Sequence, residues 1–190
     1  MKLVPLHRIA RLDRRLASVD DWQVFPYVGL EDIEKATGHF LDTPMVKSDR
    51  ILSSSCKFDK RHVLYGKLRP NLNKVVLPDF DGICTTEILP ILPNDDVLDR
   101  VYLWAYLLTP KFVDWASANV AGANLPRLAP EMLMAHEIPL PSLAEQKRIA
   151  AVLAKADRVR RLRRYALEVG ACYLQSVFLE MFGDPVTNPM

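Results

Sequence analysis

The stretch from Ile138 to about Phe182 constrains this chain more than any other. Pro139 and Pro141 stand at its entrance, and no further proline occurs until Pro185. Proline lacks the amide that a helix interior needs and collides with the preceding turn, so a helix can begin only past Pro141. Ser142 followed by Glu145 reads as a capping box: the hydroxyl takes the free amide of the third helical position, and the carboxylate reaches back to the cap's own amide. Ala, Leu, Lys, Arg and Gln then dominate, all strong helix formers. The pattern predicts one helix of about 38 residues, ~57 Å long. That is several times the usual length in a globular domain.

Such a helix needs something along its side. Ile149, Val152, Ala156, Val159, Ala166, Val169, Tyr173 and Val177 recur at helical spacing and form one apolar stripe. A second row, Leu153, Leu162, Leu167, Leu174 and Met181, widens it. Arg163 and Gly170 interrupt a strict heptad, and the small alanines favour close helix-to-helix packing over a leucine zipper. We read the stripe as an interface with a partner helix; the competing reading is a long helix laid on its own domain. The first half of the helix is basic. Lys147, Arg148, Lys155, Arg158, Arg160, Arg161, Arg163 and Arg164 are opposed only by Glu145 and Asp157, which suits a phosphate-rich or acidic partner.

The residues before this helix read as a mixed domain of class α+β. Ile9, Leu12 and Leu16, set among Arg8, Arg11, Arg14 and Arg15, give weak helical spacing. Trp22 to Leu30 reads as a short strand ending at Gly29, Ser53 to Ser55 as a turn, His62 to Tyr65 as a compact strand, and Leu72 to Leu77 as another. Ile83 to Leu92 reads as one buried extended segment, with Pro90 marking a bulge or an edge. Asn94-Asp95-Asp96 is placed to cap a helix from about Val97 to Leu108. Pro110 restarts a second helix through Ala118, and a short element spans Glu131 to Ala135. The expected organisation is a domain over 1–140, a coiled-coil-like helical arm over 141–182 and a tail or junction over 183–190.

Chemistry of the familiar kinds is not encoded. There is no Walker loop, dinucleotide fingerprint or nucleophile elbow. Glu31, Asp32 and Glu34 could bind a metal ion but read first as surface carboxylates on a turn, and His7, His39, His62 and His136 are scattered and read as surface or hydrogen-bonded core residues ahead of metal ligands. Cys56, Cys84 and Cys172 have no metal-ligand spacing, which points to a reduced, cytoplasmic protein. The apolar runs are too short to cross a bilayer, so no membrane is expected as a partner. The informative polar cluster is Lys57, Lys60, Arg61, Lys67, Arg69, Asn71, Asn73 and Lys74. Lys and Arg contact phosphates or guanine edges, and Asn reads adenine through paired hydrogen bonds, so these eight residues are candidates for binding DNA. Gly66-Lys67-Leu68-Arg69-Pro70 stays open to a second reading, as a structural turn whose arginine pairs with a buried carboxylate.

Five segments carry a resemblance. They are Tyr27-Val28-Gly29-Leu30-Glu31-Asp32-Ile33, Val63-Leu64-Tyr65-Gly66-Lys67-Leu68-Arg69-Pro70, Cys84-Thr85-Thr86-Glu87, Asn124-Leu125-Pro126-Arg127-Leu128, and Ile138-Pro139-Leu140-Pro141 with Glu145-Gln146-Lys147-Arg148-Ile149. In this order they resemble type I restriction-modification specificity subunits. The resemblance implies a target recognition domain followed by a long helix, with a complete subunit holding two such units whose helices pack antiparallel as a ruler. It implies a non-catalytic reader of one half of a split double-stranded DNA site. Methyltransferase (modification) subunits would dock on it, and restriction subunits would join through them. S-adenosylmethionine, ATP and Mg2+ would reside in those partner subunits, with no cofactor in this chain. One unit alone implies a half-subunit or a fragment, and its unpaired stripe implies self-association through the long helix, as a symmetric dimer over an inverted repeat. The alternative function is a protein assembly scaffold whose basic helix docks an acidic partner; an enzyme with an unrecognised site is a third.

Overall fold

The computed structural model describes residues 2–18, 25–42, 55–122 and 124–183. It divides into two units, Met1–Ala150 and Ala151–Met190. The first is α+β, and the long helix begins inside it and forms the described part of the second.

The first strands are β1 (Leu3–Pro5) and β2 (Ala10–Leu12), joined by a 3-10 turn over Leu6–Arg8. The weak helical spacing of Ile9, Leu12 and Leu16 is therefore overturned. These residues are drawn into ladders instead: β2 pairs with a later strand, and Leu16 bridges Cys56. Next come β3 (Tyr27–Val28), β4 (Ser55–Phe58), β5 (Val63–Gly66), β6 (Val75–Val76), β7 (Gly82–Thr85) and β8 (Ile88–Pro93). Of the strand expected from Trp22, residues 22–24 lie outside the described set, as do 53 and 54 of the expected turn; Ser55 already belongs to β4.

A four-stranded antiparallel sheet has the order β2-β8-β5-β6. A three-stranded sheet has the order β3-β7-β4, with β3 parallel and β4 antiparallel to β7. The expected single segment from Ile83 to Leu92 thus splits at Thr86-Glu87 into strands of different sheets. Pro90 sits in β8, where its carbonyl accepts the Asp13 amide just past the end of β2. Strand β8 lies between β2 and β5 and Pro90 keeps register with Leu64, so it marks neither an edge strand nor a bulge; its missing N–H faces the end of β2, where the Asp13 amide alone closes the ladder.

Strand β5 explains why its sequence shows no polar alternation. Val63 and Tyr65 pack into one core, and Leu64 packs into another with Val28, Phe58, Val76, Cys84 and Ile88. A strand buried on both faces reads as a continuous apolar run. Each fully buried aliphatic here contributes about 1.5–3 kcal/mol of transfer free energy.

The larger core is closed by α1 (Arg100–Leu107) and α2 (Pro110–Ala118). The cap of α1 is Asp99, whose carboxylate accepts the Tyr102 amide at 2.9 Å, and not Asn94-Asp95-Asp96. Asn94 instead closes a turn by accepting the amides of Val97 and Leu98, and Leu98 is fully buried. That inward turn delays the helix by three residues from the expected Val97. Then follow β9 (Val120–Ala121), β10 (Arg127–Leu128), α3 (Pro130–Ala135) and β11 (Glu137–Pro139), which pairs antiparallel with β1.

Helix α4 runs over Leu143–Phe182, 40 residues. The Ser142 hydroxyl accepts the Glu145 amide at 3.4 Å, one half of the expected capping box. The Glu145 carboxylate turns forward to Arg148, at 2.8 and 2.7 Å, where a full charge meets it. Gln146 is completely buried. Its Oε1 accepts the Asp99 amide at 2.8 Å, and its Nε2 donates to the carbonyls of Val97 (2.9 Å) and Pro141 (3.0 Å). One side chain thus ties the first turn of α4 to the approach of α1.

Candidate nucleic-acid interface

Strand β5 ends at Gly66, where a Cβ would stand 2.8 Å from Leu30 and 3.2 Å from the Lys74 carbonyl. That carbonyl accepts the Gly66 amide at 2.8 Å, so only glycine fits so close an approach. Beyond it a loop carries Lys67, Leu68 and Arg69 into a 3-10 turn over Pro70–Leu72. The turn is bracketed by two left-handed residues, Arg69 at φ 49° and Asn73 at φ 45°. Such a conformation costs an arginine on the order of 1 kcal/mol and is easier for asparagine.

Two segments from distant parts of the chain hold this loop. Lys67 donates its amide to the Glu87 carbonyl (2.9 Å) and accepts the Leu128 amide (3.0 Å). Leu68 bridges Arg127, and the Arg69 amide donates to the Pro126 carbonyl at 2.8 Å. Arg127 in turn pairs with Glu87. The Gly66–Pro70, Thr86–Glu87 and Leu125–Leu128 segments therefore form one assembly. Glu87 takes Arg127 and not Arg69, so the turn reading that gave Arg69 a buried carboxylate does not hold. Arg69 is exposed and makes no ion pair with any described residue.

The eight candidates do not form one patch. Lys60 and Arg61 lie before the first residue of β5, and Lys67, Arg69 and Asn71 lie beyond its last. Lys60 is exposed, with its amide 3.3 Å from Asp81 Oδ1. Arg61 holds the Asp59 carboxylate from Nε (3.1 Å) and Nη2 (2.7 Å). Lys57 is half-buried in β4. Lys74 donates through Nζ to the Leu30 carbonyl at 2.6 Å, and buried Asn73 is 3.4 Å from the Leu108 carbonyl. These two brace the base of the loop. Lys67, Arg69 and Asn71 remain at its rim, and Lys67 lines a cleft of about 310 Å³ with Arg14, Thr86 and Glu131.

The opposite end of β5 is locked by charge. His62 is fully buried, with Nε2 3.2 Å from Asp13 and Nδ1 3.1 Å from Asp59. The Arg61 hydrogen bond holds the Asp59 carboxyl far below the usual range. Burial pushes the Asp13 carboxyl up, but hydrogen bonds from Arg15 and His62 outweigh it and leave it lowered. Both carboxylates are therefore ionised near neutral pH. Among the described residues no group of three or more His, Cys, Asp or Glu could hold a metal ion. Cys56, Cys84 and Cys172 are free, and burial raises the thiols of Cys56 and Cys84. No helix of the described residues is long and apolar enough to cross a membrane.

The apolar stripe of the arm is laid open. Val152 is 61% exposed, Val159 59% and Tyr173 68%, and Ala156, Ala166 and Val169 are exposed too. Val177 is half-exposed. Ile149 differs: it lies in the first unit, partly buried against the larger core. Of the basic run, Arg148 pairs with Glu145, and Arg160 and Arg161 pair with Asp157.

Residues 22–166 match the model of the type I restriction modification DNA specificity domain. The chain belongs to this family. It is 28% identical over 184 residues to the type I restriction enzyme EcoDI specificity subunit of Escherichia coli, covering 95% of this chain and 41% of that protein. The HsdS subunit from Thermoanaerobacter tengcongensis shares the fold, with a TM-score of 0.69 and 23% identity over 100% of this chain and 51% of that one. The type I restriction-modification S subunit from M. genitalium aligns at a TM-score of 0.60 and 15% identity, over 95% of this chain and 48% of that one. The chain thus spans about half the length of these relatives or less. The segments that resembled the specificity family in sequence include the three that assemble around Arg69.

Sequence reasoning missed two things at the site. The Glu87–Arg127 pair was present in the quoted segments, but nothing in their spacing said that they meet. Gln146 sat in the Glu-Gln-Lys-Arg run as one more helix former, although an uncharged polar residue beside a buried alanine position was a usable sign.

Proposed function

We propose that this chain is a sequence-reading element of a type I restriction-modification system: a non-catalytic specificity component that binds double-stranded DNA and recognises one half of a divided target. The carrying observation is the loop at the end of β5. Two distant segments hold its backbone, while Arg69 at its rim keeps a guanidinium with no ion pair to any described residue. A held base with a cation and an amide side chain at its rim suits the reading of base edges, because a loop already ordered loses less conformational entropy when it engages the groove. Lys67, Arg69 and Asn71 are the readers in this account, Lys57 and Lys60 contribute to phosphate binding, and Arg61 is spent on Asp59.

Modification subunits dock on this chain in the same account, and restriction subunits join through them, in the cytoplasm. S-adenosylmethionine, ATP and Mg2+ belong to those subunits. The open stripe of α4 meets a second long helix, from another copy or from a further part of a longer protein. The test is binding of the full chain to duplex DNA at rising salt, with Lys67→Ala plus Arg69→Ala as the variant. The reading expects affinity that falls steeply with salt and drops at least tenfold in the variant. Unchanged binding by the variant would leave the loop structural, and no DNA binding at all would favour an assembly scaffold.

A further inference from the structure

The run Arg8, Arg11, Arg14, Arg15 lies outside the reading loop. Arg15 is occupied with Asp13 at 2.9 Å, and Arg14 stands 3.9 Å from Glu131. Arg8, in the 3-10 turn, and Arg11, in the middle of β2, are both exposed. Neither side chain makes a hydrogen bond or ion pair with any described residue. They line one open cleft of about 540 Å³, with Arg61 beside them and Asp95 and Asp96 on the turn after β8. Arg61 is already committed to Asp59, so the cleft offers two uncommitted guanidinium groups.

Position gives these groups a direction. Strand β2 is the outer strand of its sheet, so Arg11 sits on an edge that no strand of this sheet covers. From Arg8 to Arg14 the chain advances six residues, at most ~20 Å if fully extended. At the far end Arg14 lines the cleft that holds Lys67. A row of arginines therefore leads from the Arg8–Arg11 cleft towards the base of the reading loop, interrupted by Asp13 with its partner Arg15 and met by Glu131 beside Arg14. A planar guanidinium with free N–H groups matches the paired oxygens of a phosphate, and duplex DNA presents a charge about every 1.7 Å of its axis.

We propose that Arg8 and Arg11 form a backbone clamp, a second contact that binds DNA phosphates at the outer edge of β2 and fixes how the reading loop is presented to the groove. This rests on the DNA-reading function proposed above. The clamp supplies affinity and register but no sequence preference. Asp95 and Asp96 act against it and keep non-specific binding in check.

The test uses the full chain and short duplexes of several unrelated sequences, with affinity measured by fluorescence anisotropy across a salt series. Arg8→Ala plus Arg11→Ala should weaken binding about tenfold or more on every duplex alike and reduce the salt slope by about two. Arg8→Lys plus Arg11→Lys should keep that slope, since the charges remain. Asp95→Asn plus Asp96→Asn should tighten binding several-fold. Thermal melts that match the wild type would show that these exposed changes leave the fold intact. An unchanged slope and affinity in the alanine variant, with a wild type that binds, would overturn the clamp and spare the reading function. A loss confined to one sequence would overturn it too, since the arginines would then touch bases. A wild type that binds no duplex removes the reading function and the clamp with it.

Discussion

Arg127 grips Glu87 with its Nε 2.9 Å from one carboxylate oxygen and 3.2 Å from the other. The pair is partly exposed, 41% and 26%, so its direct energy is modest. Its effect is positional. It fastens the Leu125–Leu128 segment to the β7–β8 turn, and that segment carries the Pro126 carbonyl that accepts the Arg69 amide.

Arg127→Ala is expected to destabilise the protein by about 1 kcal/mol, a loss of roughly 2–4 °C in Tm for a chain of this size. Arg127→Lys should recover less than half of that, because one ammonium cannot hold Glu87 and the Leu125 carbonyl together as Nε and Nη1 do. Thermal melts of the three proteins check this; an alanine variant that melts with the wild type would show that the pair holds nothing in place.

Gln146 is the stronger anchor. Its removal by Gln146→Ala leaves the Asp99 amide and the carbonyls of Val97 and Pro141 without their partner in a buried site. The expected cost is about 2–3 kcal/mol. Urea unfolding should show a lower midpoint with the same slope. A midpoint within error of the wild type would mean that the start of α4 is held by apolar contact alone.

The α+β class and the long helix were legible because proline placement and helix-forming composition are local properties. So were α2, which Pro110 opens, and the short element that became α3. The N-terminal strands were not. Ile9, Leu12 and Leu16 carry spacing compatible with a helix, and only pairing with residues some eighty and forty positions away decides against it. The cap of α1 was misplaced for a similar reason: Asn94 and Asp99 are equally good caps, and the burial of Leu98 chooses between them. At the site, the eight polar residues are adjacent in sequence, yet β5 separates them into two ends.

His136 gives the fold a pH dependence. Burial, with Lys111 nearby, lowers its pKa to about 4, and its ring lies against Trp115 with a 2.9 Å hydrogen bond to Tyr106. The folded value lies below the ordinary histidine value of 6.5, so between these two the unfolded chain binds more protons than the folded one. Stability from this group is complete above about pH 6.5 and is lost as pH falls towards about 4. His136→Phe should flatten Tm against pH over that interval; the same slope in the variant would assign the acid limb to other groups.

The arm makes a prediction about mass. If the open stripe of α4 meets its equal in a second copy, light scattering should give twice the chain mass, and Val152→Asp plus Val159→Asp should return it to the monomer. Both substitutions fall on exposed positions, so the first unit should keep its melting profile. A dimer that survives both aspartates would place the seam elsewhere, and a monomeric wild type would leave the stripe to a different partner helix.

The most direct measurement is selection of duplex DNA from a randomised pool by the full chain, followed by sequencing of what is retained. The account predicts recovery of one recurrent short sequence, and its loss from the pool retained by Lys67→Ala plus Arg69→Ala, while general salt-sensitive binding persists. Retention of random sequence by the wild type, or the same enriched sequence from the variant, would contradict the claim that the loop beyond β5 reads DNA.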